Sequence, residues 1–413
     1  MANSEEKKLL RELAKRYLDL ARMPVNEERK ERMKRTNDLT PGLRPAVWID
    51  EIPWHEMDID GQLSLVCEDP FARRMEWFFK SQLYRWKYIQ ADMVLLPYYA
   101  VHKKYSSTGN GLDTDERIIK TDSRNHIVSH AYHDMLATEE QLAKMKMPVL
   151  TACPENDRKN VEMAEDILNG ILPAKLTGHQ FYYSPWDTIA TLRGVEPILI
   201  DMIDRPEFLH KIVSRFAEHQ AAVMDQMEAL DLLDAEPVSL HCTPAFTDDL
   251  PKPAPDGKVR QKNVWFRAMA QMFNVVSPAM HEEFELQYMR PLMQRCGLVY
   301  YGCCEPLDNK IDLLKTVPNM RKIGVSPWSN QARSAEQMES RYVFARKPNP
   351  AFVAGTFDAE TVRREIRETV ELCIRYKCPY EFVLKDISTV SYKPQNLIQW
   401  NQVVQEVLDH YYR

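Results

Sequence analysis

Apolar positions along this chain follow two periods: short runs that suit buried strands, and longer stretches spaced at three and four residues that suit one face of a helix. From Glu5 to about Arg35 the spacing is helical, and Asn26-Glu-Glu-Arg reads as the capped start of a second helix. Pro45-Ala-Val-Trp-Ile-Asp50 then predicts a strand. A mostly helical stretch follows, in which Arg73-Arg-Met-Glu-Trp-Phe-Phe79 and Leu83-Tyr-Arg-Trp-Lys-Tyr88 form one amphipathic face. Met93 to Val101 predicts a second strand, Ala174 to Tyr183 a third and Glu236 to Cys242 a fourth. Later strands are expected at Leu298 to Tyr301, Met320 to Ser326, Arg341 to Arg346 and Glu381 to Lys385, separated by helices such as Asp308 to Lys315 and Asp358 to Tyr376.

Strand followed by helix, repeated about eight times without tandem hairpins, predicts an α/β fold of the (β/α)8 TIM barrel class. Residues 1–44 are expected as an N-terminal helical extension and 45–413 as the barrel. A polar excursion at about 103–147 after the second strand reads as a lid or insertion. The alternative is a doubly wound sheet. No GxGxxG follows a strand, no GxxxxGK[ST] is present, and only 12 glycines occur in the chain, so the usual phosphate-cradling loops of that class are missing.

Composition narrows the class. At 413 residues with 44% hydrophobic content the chain can bury a large core, and a formal charge of -6 gives no reason to expect nucleic acid. No apolar run approaches the roughly 18 to 20 residues that cross a bilayer, and Met1 to Lys8 lacks the apolar core of a signal peptide, so a cytoplasmic protein is expected. The 8 cysteines are scattered without a CxxC pair, which favours reduced thiols over a disulfide framework or a zinc ribbon.

In a barrel the C-terminal ends of all strands meet at one mouth. That rim would collect His55, Tyr98, His179, Tyr183, His241, Cys242, Cys303, Glu305, Trp328, Lys385 and Asp386. The centre of the pattern is Leu298-Val-Tyr-Tyr-Gly-Cys-Cys-Glu-Pro-Leu307, an apolar strand that stops in two thiols and a carboxylate. Thiolate, imidazole and carboxylate together suit a catalytic zinc with an open position, and Cys303, Glu305 and His241 are the ligand set expected. Because neighbours on a strand face opposite ways, Cys303 with Glu305 is the expected inward pair, and one of His241 and Cys242 should be buried. A metal-free alternative uses Asp386 or Glu51 as general acid and Lys385 or an arginine to bind an anion; a Cys303–His241 nucleophilic dyad is also writable, though no thiol-enzyme motif surrounds Cys303. His126 and His130, four residues apart in the polar excursion, could share a metal on a helix; surface histidines are the default there.

Tyr183-Ser-Pro-Trp-Asp-Thr-Ile-Ala-Thr-Leu-Arg-Gly194, Asp204-Arg-Pro-Glu-Phe-Leu-His210, Val276-Ser-Pro-Ala-Met-His-Glu-Glu-Phe284, Tyr300-Tyr-Gly-Cys-Cys-Glu-Pro-Leu307 and Leu384-Lys-Asp-Ile-Ser-Thr389 occur in one order from about residue 90 onward. In them the chain resembles the uroporphyrinogen decarboxylase superfamily, in the decarboxylase-like branch that includes cobalamin-dependent methyltransferases. The resemblance implies a (β/α)8 barrel. In that branch a His-x-Cys at a middle strand end and a Cys near the last strand hold zinc. Here Cys303 matches the first Cys, Tyr301 stands where the His would be, and Lys385-Asp386 occupies the last strand end. Cys304, Glu305 and His241 would have to complete the site. The arginine-rich N-terminal segment of the true decarboxylases is absent, with Asp50-Glu-Ile-Pro-Trp-His55 in its place.

The function expected from this resemblance is a zinc-dependent methyltransferase that moves a methyl group from a small O- or N-methylated compound to a corrinoid carried by a partner protein. Tyr98, Tyr183, Trp328, His55 and Gln271 would line the substrate, Asp386, His179 and Lys385 would serve catalysis, and His241, Cys303, Glu305 and Cys304 would face the metal. A homodimer is compatible with this, and neither nucleic acid nor membrane is expected as a partner. The alternative is a metal-free decarboxylase or lyase acting on a small carboxylated substrate; a third possibility is a binding protein that has kept the barrel without its chemistry.

Overall fold

The computed structural model of the chain describes residues 2–120 and 128–412. His126, one member of the possible histidine pair, lies outside the described residues. Seven parallel strands form the main sheet: β1 Ala46–Ile49, β2 Phe181–Tyr183, β3 Trp265–Ala268, β4 Leu298–Tyr301, β5 Met320–Val325, β6 Val343–Arg346 and β7 Tyr380–Leu384. Their order is β1-β7-β6-β5-β4-β3-β2, so β1 and β2 are the two edges and consecutive strands are neighbours from β2 to β7. The expected eight-stranded closure does not form among the described residues. The sheet is a curled, barrel-like α/β sheet that stays open between β1 and β2.

The opening has identifiable causes. Met93 to Val101 is not one strand: only Tyr99–His102 is extended, pairing with Ala174–Thr177 in a separate two-stranded sheet. Pro97 has no N–H to give a ladder. The residues before it are held by side chains instead. Leu95 N donates to Asn26 Oδ1 at 2.8 Å, Arg29 Nη1 donates to Met93 O at 3.0 Å, and Asp92 Oδ2 accepts from Val47 N at 2.7 Å. Asn26 and Arg29 belong to helix α2, Val25–Asn37, which follows α1, Ser4–Ala21. The expected third strand is likewise split after Thr177, where a Cβ on Gly178 would lie 2.4 Å from the Leu233 carbonyl oxygen. Glu236 to Cys242 contributes only Ser239–Leu240, paired antiparallel with Thr243–Pro244.

Side-chain alternation builds two different faces. Outward residues of the sheet, among them Val47, Phe266, Val299, Ile323, Phe344 and Phe382, pack with Ile366 and Val370 of the helix Ala359–Tyr376 and Trp400 and Val404 of the helix Pro394–Tyr411. Each such side chain stabilises the fold by about 1.5–3 kcal/mol on burial. Leu10, Leu13, Ala14 and Tyr17 of α1 pack on Ala72, Met75 and Phe79 of α3, Pro70–Tyr88. The polar excursion carries two antiparallel pairings, Tyr105–Ser107 with Leu150–Ala152 and Glu116–Ile119 with Ser129–Tyr132. No helix among the described residues is long and apolar enough to cross a membrane.

Candidate active site

The inward face of the sheet is where the polar chemistry gathers. Arg267 on β3 is in register with Tyr300 on β4, and Tyr300 with Lys322 on β5. Glu381 on β7 faces the same interior and binds Lys322 Nζ at 2.8 Å. Arg267 stacks its guanidinium 4.1 Å from the Tyr300 ring centroid, and Lys347 just past β6 donates to the Tyr300 hydroxyl at 2.7 Å. Neither Arg267 nor Lys347 has a carboxylate within 4 Å among the described residues. Both are buried, so the interior carries positive charge that only nearby anions can offset.

The mouth above these cations is where β4 ends. Tyr301 closes the strand, Gly302 takes φ +106, and the chain turns so that Cys303 and Cys304 lie at one edge with their sulfurs 3.6 Å apart. The turn removes the opposite-facing constraint that would separate two adjacent strand thiols. Lys385 Nζ donates to Cys303 Sγ at 3.1 Å. Cys304 carries one proton and faces two acceptors, Cys303 Sγ and Asp386 Oδ2, the latter at 2.9 Å. Glu305 is buried below, its oxygens taken by Cys303 N at 2.8 Å and Ala270 N at 3.3 Å, so it braces the turn.

Three non-glycine residues at this mouth have left-handed backbones: Glu51 after β1 (φ 50), His241 (φ 56) and Asp386 after β7 (φ 57). Such conformations cost on the order of 1–3 kcal/mol each and gather where function over-determines them. Here they converge. Asp386 N donates to Glu51 Oε2 at 2.9 Å, and Glu51 Oε1 lies 3.5 Å from Lys385 Nζ and 3.6 Å from His241 Nε2.

Electrostatics separate the two thiols. The hydrogen bond with Cys304 is the largest influence holding Cys303 far below the ordinary thiol range; burial opposes it, and His241, Lys347 and Arg267 add to the lowering. Cys304 is pushed far upward by Cys303, by burial and by Asp386. One proton is thus left on the pair, on Cys304. Burial works against the Lys385 charge, but the Cys242 and Cys303 thiols, Asp386 and Glu51 raise it above the usual lysine range. Burial also pushes Glu51 up.

A cavity of 680 Å³ lies on the open side of the sheet, with Trp48 of β1 and Tyr182 of β2 in its walls; neither Cys303 nor Cys304 lines it, and His241 is the residue common to the cavity and the thiol edge. His241 lines it as well and stacks on Tyr182, centroids 4.9 Å apart. Tyr98, expected to face the substrate, and His179, expected to serve catalysis, both line the cavity, His179 with Nε2 held by Lys103 O at 2.9 Å. Tyr183 does not line it: the strand alternation turns it outward, where its hydroxyl donates to Phe216 O at 3.1 Å, and Tyr182 faces inward instead. Trp328 is 70% exposed away from the cavity, His55 stands edge-on to Tyr392, and Gln271 donates to Asp187 Oδ2 at 3.3 Å. Cys242 is fully buried while its neighbour His241 is open to solvent. Arg267, Lys347 and Tyr182 are the members of this site that the strand pattern did not single out; the apolar run Val264-Trp-Phe-Arg-Ala-Met-Ala270 around Arg267 was the available signal.

Among the described residues no three His, Cys, Asp or Glu donors already converge on one point. The donor set still fits a zinc ion in part. Two thiolates on one tetrahedral zinc stand roughly 3.7 Å apart, close to the 3.6 Å between Cys303 and Cys304, and His241 and Asp386 flank them.

No family model matches the chain, and no curated protein matches it. Among solved structures, a methyltransferase from Methanosarcina mazei is similar with a TM-score of 0.48 and 10% sequence identity, covering 93% of this chain and 99% of that one. The chemistry of the site itself therefore carries the functional conclusion.

Proposed function

We propose that this chain is a methyltransferase that takes a methyl group from a small O- or N-methylated compound and delivers it to the cobalt of a corrinoid held by a separate protein. The observation that carries the reading is the Cys303–Cys304 edge: two sulfurs at a zinc-compatible spacing, one held as thiolate, linked through His241 to an aromatic cavity. Cys303 and Cys304 would hold the ion, with His241 or Asp386 as the third ligand after a side-chain rotation. Glu305 would stay with the backbone N–H groups that occupy it. Bound there, zinc supplies a Lewis acid for the heteroatom that carries the methyl group.

The remaining work falls to the chain's own groups. Lys385, Lys347 and Arg267 keep the edge electropositive, which favours thiolate over thiol. Asp386 accepts the Cys304 hydrogen bond and is the group to which that proton passes when the second thiol ionises. Tyr182 and Trp48 keep the cavity wall apolar, and His241, which lines the cavity and acts on Cys303, can move a proton at the departing heteroatom where Asp386 is the third ligand.

A second reading is favoured by one observation. Arg267 and Lys347, without carboxylate partners, suit a metal-free decarboxylase or lyase that binds a small carboxylated substrate. Assaying methoxylated and methylamine compounds against a reduced corrinoid protein separates the two. Methylcobalamin formation that a chelator abolishes supports the methyltransferase; carbon dioxide release from a carboxylated substrate, indifferent to chelator, supports the second reading.

A further inference from the structure

The charges around the 680 Å³ cavity are not all answered by the protein. Its volume lies inside the roughly 300–1,000 Å³ range of small-molecule pockets. Tyr17, Trp48, Phe78, Tyr98 and Tyr182 give it aromatic walls, which on their own would accept a flat apolar body or a quaternary ammonium. The charged groups decide between these.

Two carboxylates line the cavity, and both are already served. Asp234 accepts from Gly178 N at 3.0 Å and Glu236 N at 2.9 Å, and Glu236 pairs with Lys175 Nζ at 2.6 Å. Arg85, also in the wall, differs. Among the described residues its Nη groups make one hydrogen bond, Nη2 to Ile49 O at 2.9 Å, which leaves Nη donors for a ligand; Nε is enclosed and takes no part. Asp50 acts on its charge from a distance and makes no ion pair with Arg85 within 4 Å among the described residues. The guanidinium also lies 6.0 Å from the Trp48 ring centroid, so cation and aromatic wall are side by side. A half-buried guanidinium with Nη donors free in a cavity wall is best answered by a planar anion that takes two N–H bonds at once.

We infer that this cavity binds an aromatic carboxylate, its ring against Trp48 and Tyr182 and its carboxylate on Arg85. The inference rests on and deepens the methyl-transfer reading, since His241 both lines this cavity and acts on Cys303, but binding itself needs no transfer step. Cationic methylammonium donors are then poor ligands, and methylated aromatic acids are the donors of choice.

Calorimetric titration of the full chain with benzoate, benzyl alcohol and benzyltrimethylammonium tests it. Benzoate is expected to bind one to one, roughly tenfold or more tighter than the alcohol, with the ammonium no tighter than the alcohol. Arg85→Met should reduce benzoate affinity to that of the alcohol and leave the alcohol unchanged. Preference for the ammonium, no benzoate binding, or unchanged benzoate binding in Arg85→Met would overturn the inference. The ligand ranking on the unsubstituted protein decides the matter if Arg85→Met does not fold. A protein that transfers methyl groups from methylammonium compounds while rejecting benzoate would sink this inference and spare the transfer reading; benzoate binding without transfer would do the reverse.

Discussion

Lys385 donates to Cys303 across 3.1 Å between side chains that are both buried, linking the last strand of the sheet to the thiol turn that ends β4. A buried ammonium next to a thiolate stabilises both charged forms, because each supplies the opposite charge that water would otherwise screen.

The first prediction concerns that pair. Cys303 has a pKa lowered on folding. The stability it contributes is therefore fully present above the unfolded thiol value of about 8.5 and is lost as pH falls through the lower folded value. In metal-free protein, the ultraviolet thiolate absorbance minus that of the double variant Cys303→Ala/Cys304→Ala should be constant from neutral pH upward. In Lys385→Met the same difference should rise with pH towards the ordinary thiol range. A flat difference in Lys385→Met would show that the lysine does not hold the thiolate.

Lys322 and Glu381 form an ion pair at 2.8 Å inside the sheet, with 1% and 2% of their side chains exposed. Glu381→Gln leaves a buried ammonium without its counter-charge, so stability should fall by about 3–5 kcal/mol in denaturant titration. Replacing both residues with apolar ones of similar volume should cost much less.

Glu285 lies in a single π-helical turn, Glu282–Leu286, its buried carboxyl beside the Tyr301 hydroxyl and 3.3 Å from His281 Nε2. Burial raises its carboxyl to about 8 and lowers His281 to about 3. A raised acid contributes stability that is full below its unfolded value and lost as pH climbs through the folded one. His281 acts only at lower pH, where its protonation in the unfolded chain costs stability. Between about pH 6.5 and 8, Glu285→Gln should therefore gain on the native protein by on the order of 1 kcal/mol. Parallel pH profiles for the two proteins in that window would contradict this.

At Gly302, φ is +106 and a Cβ would meet Leu307 Cδ1 at 2.5 Å and Gly324 N at 3.2 Å. Gly302→Ala should cost about 1–3 kcal/mol and separate the two thiols. The check is a denaturation midpoint together with the thiolate absorbance, which should lose its low-pH component.

Much of the sheet was readable because period-2 apolar runs ending in polar clusters survive as strands: β1, β4, β5, β6 and β7 lie where the pattern put them. The failures share a cause. Met93 to Val101 and Glu236 to Cys242 have strand-like composition, but Pro97 and the side chains of α2 in the first case, and a left-handed His241 in the second, satisfy the backbone locally. Composition alone cannot show a ladder replaced by side-chain hydrogen bonds. The thiols, Lys385 and Asp386 were visible as strand-end residues. Arg267 and Lys347 were not, because cations inside a sheet run against the apolar expectation for its interior and make sense only beside the thiolate they offset. Tyr182 and Tyr183 differ by one position, and only the register of β2 decides which one faces the cavity.

The central claim is that the Cys303–Cys304 edge holds a catalytic zinc, and the most direct test is the metal content of protein purified without chelator, measured beside Cys303→Ala. The account predicts about one zinc per chain in the native protein and its loss in the variant. The absence of metal from both, or equal zinc in both, would contradict it.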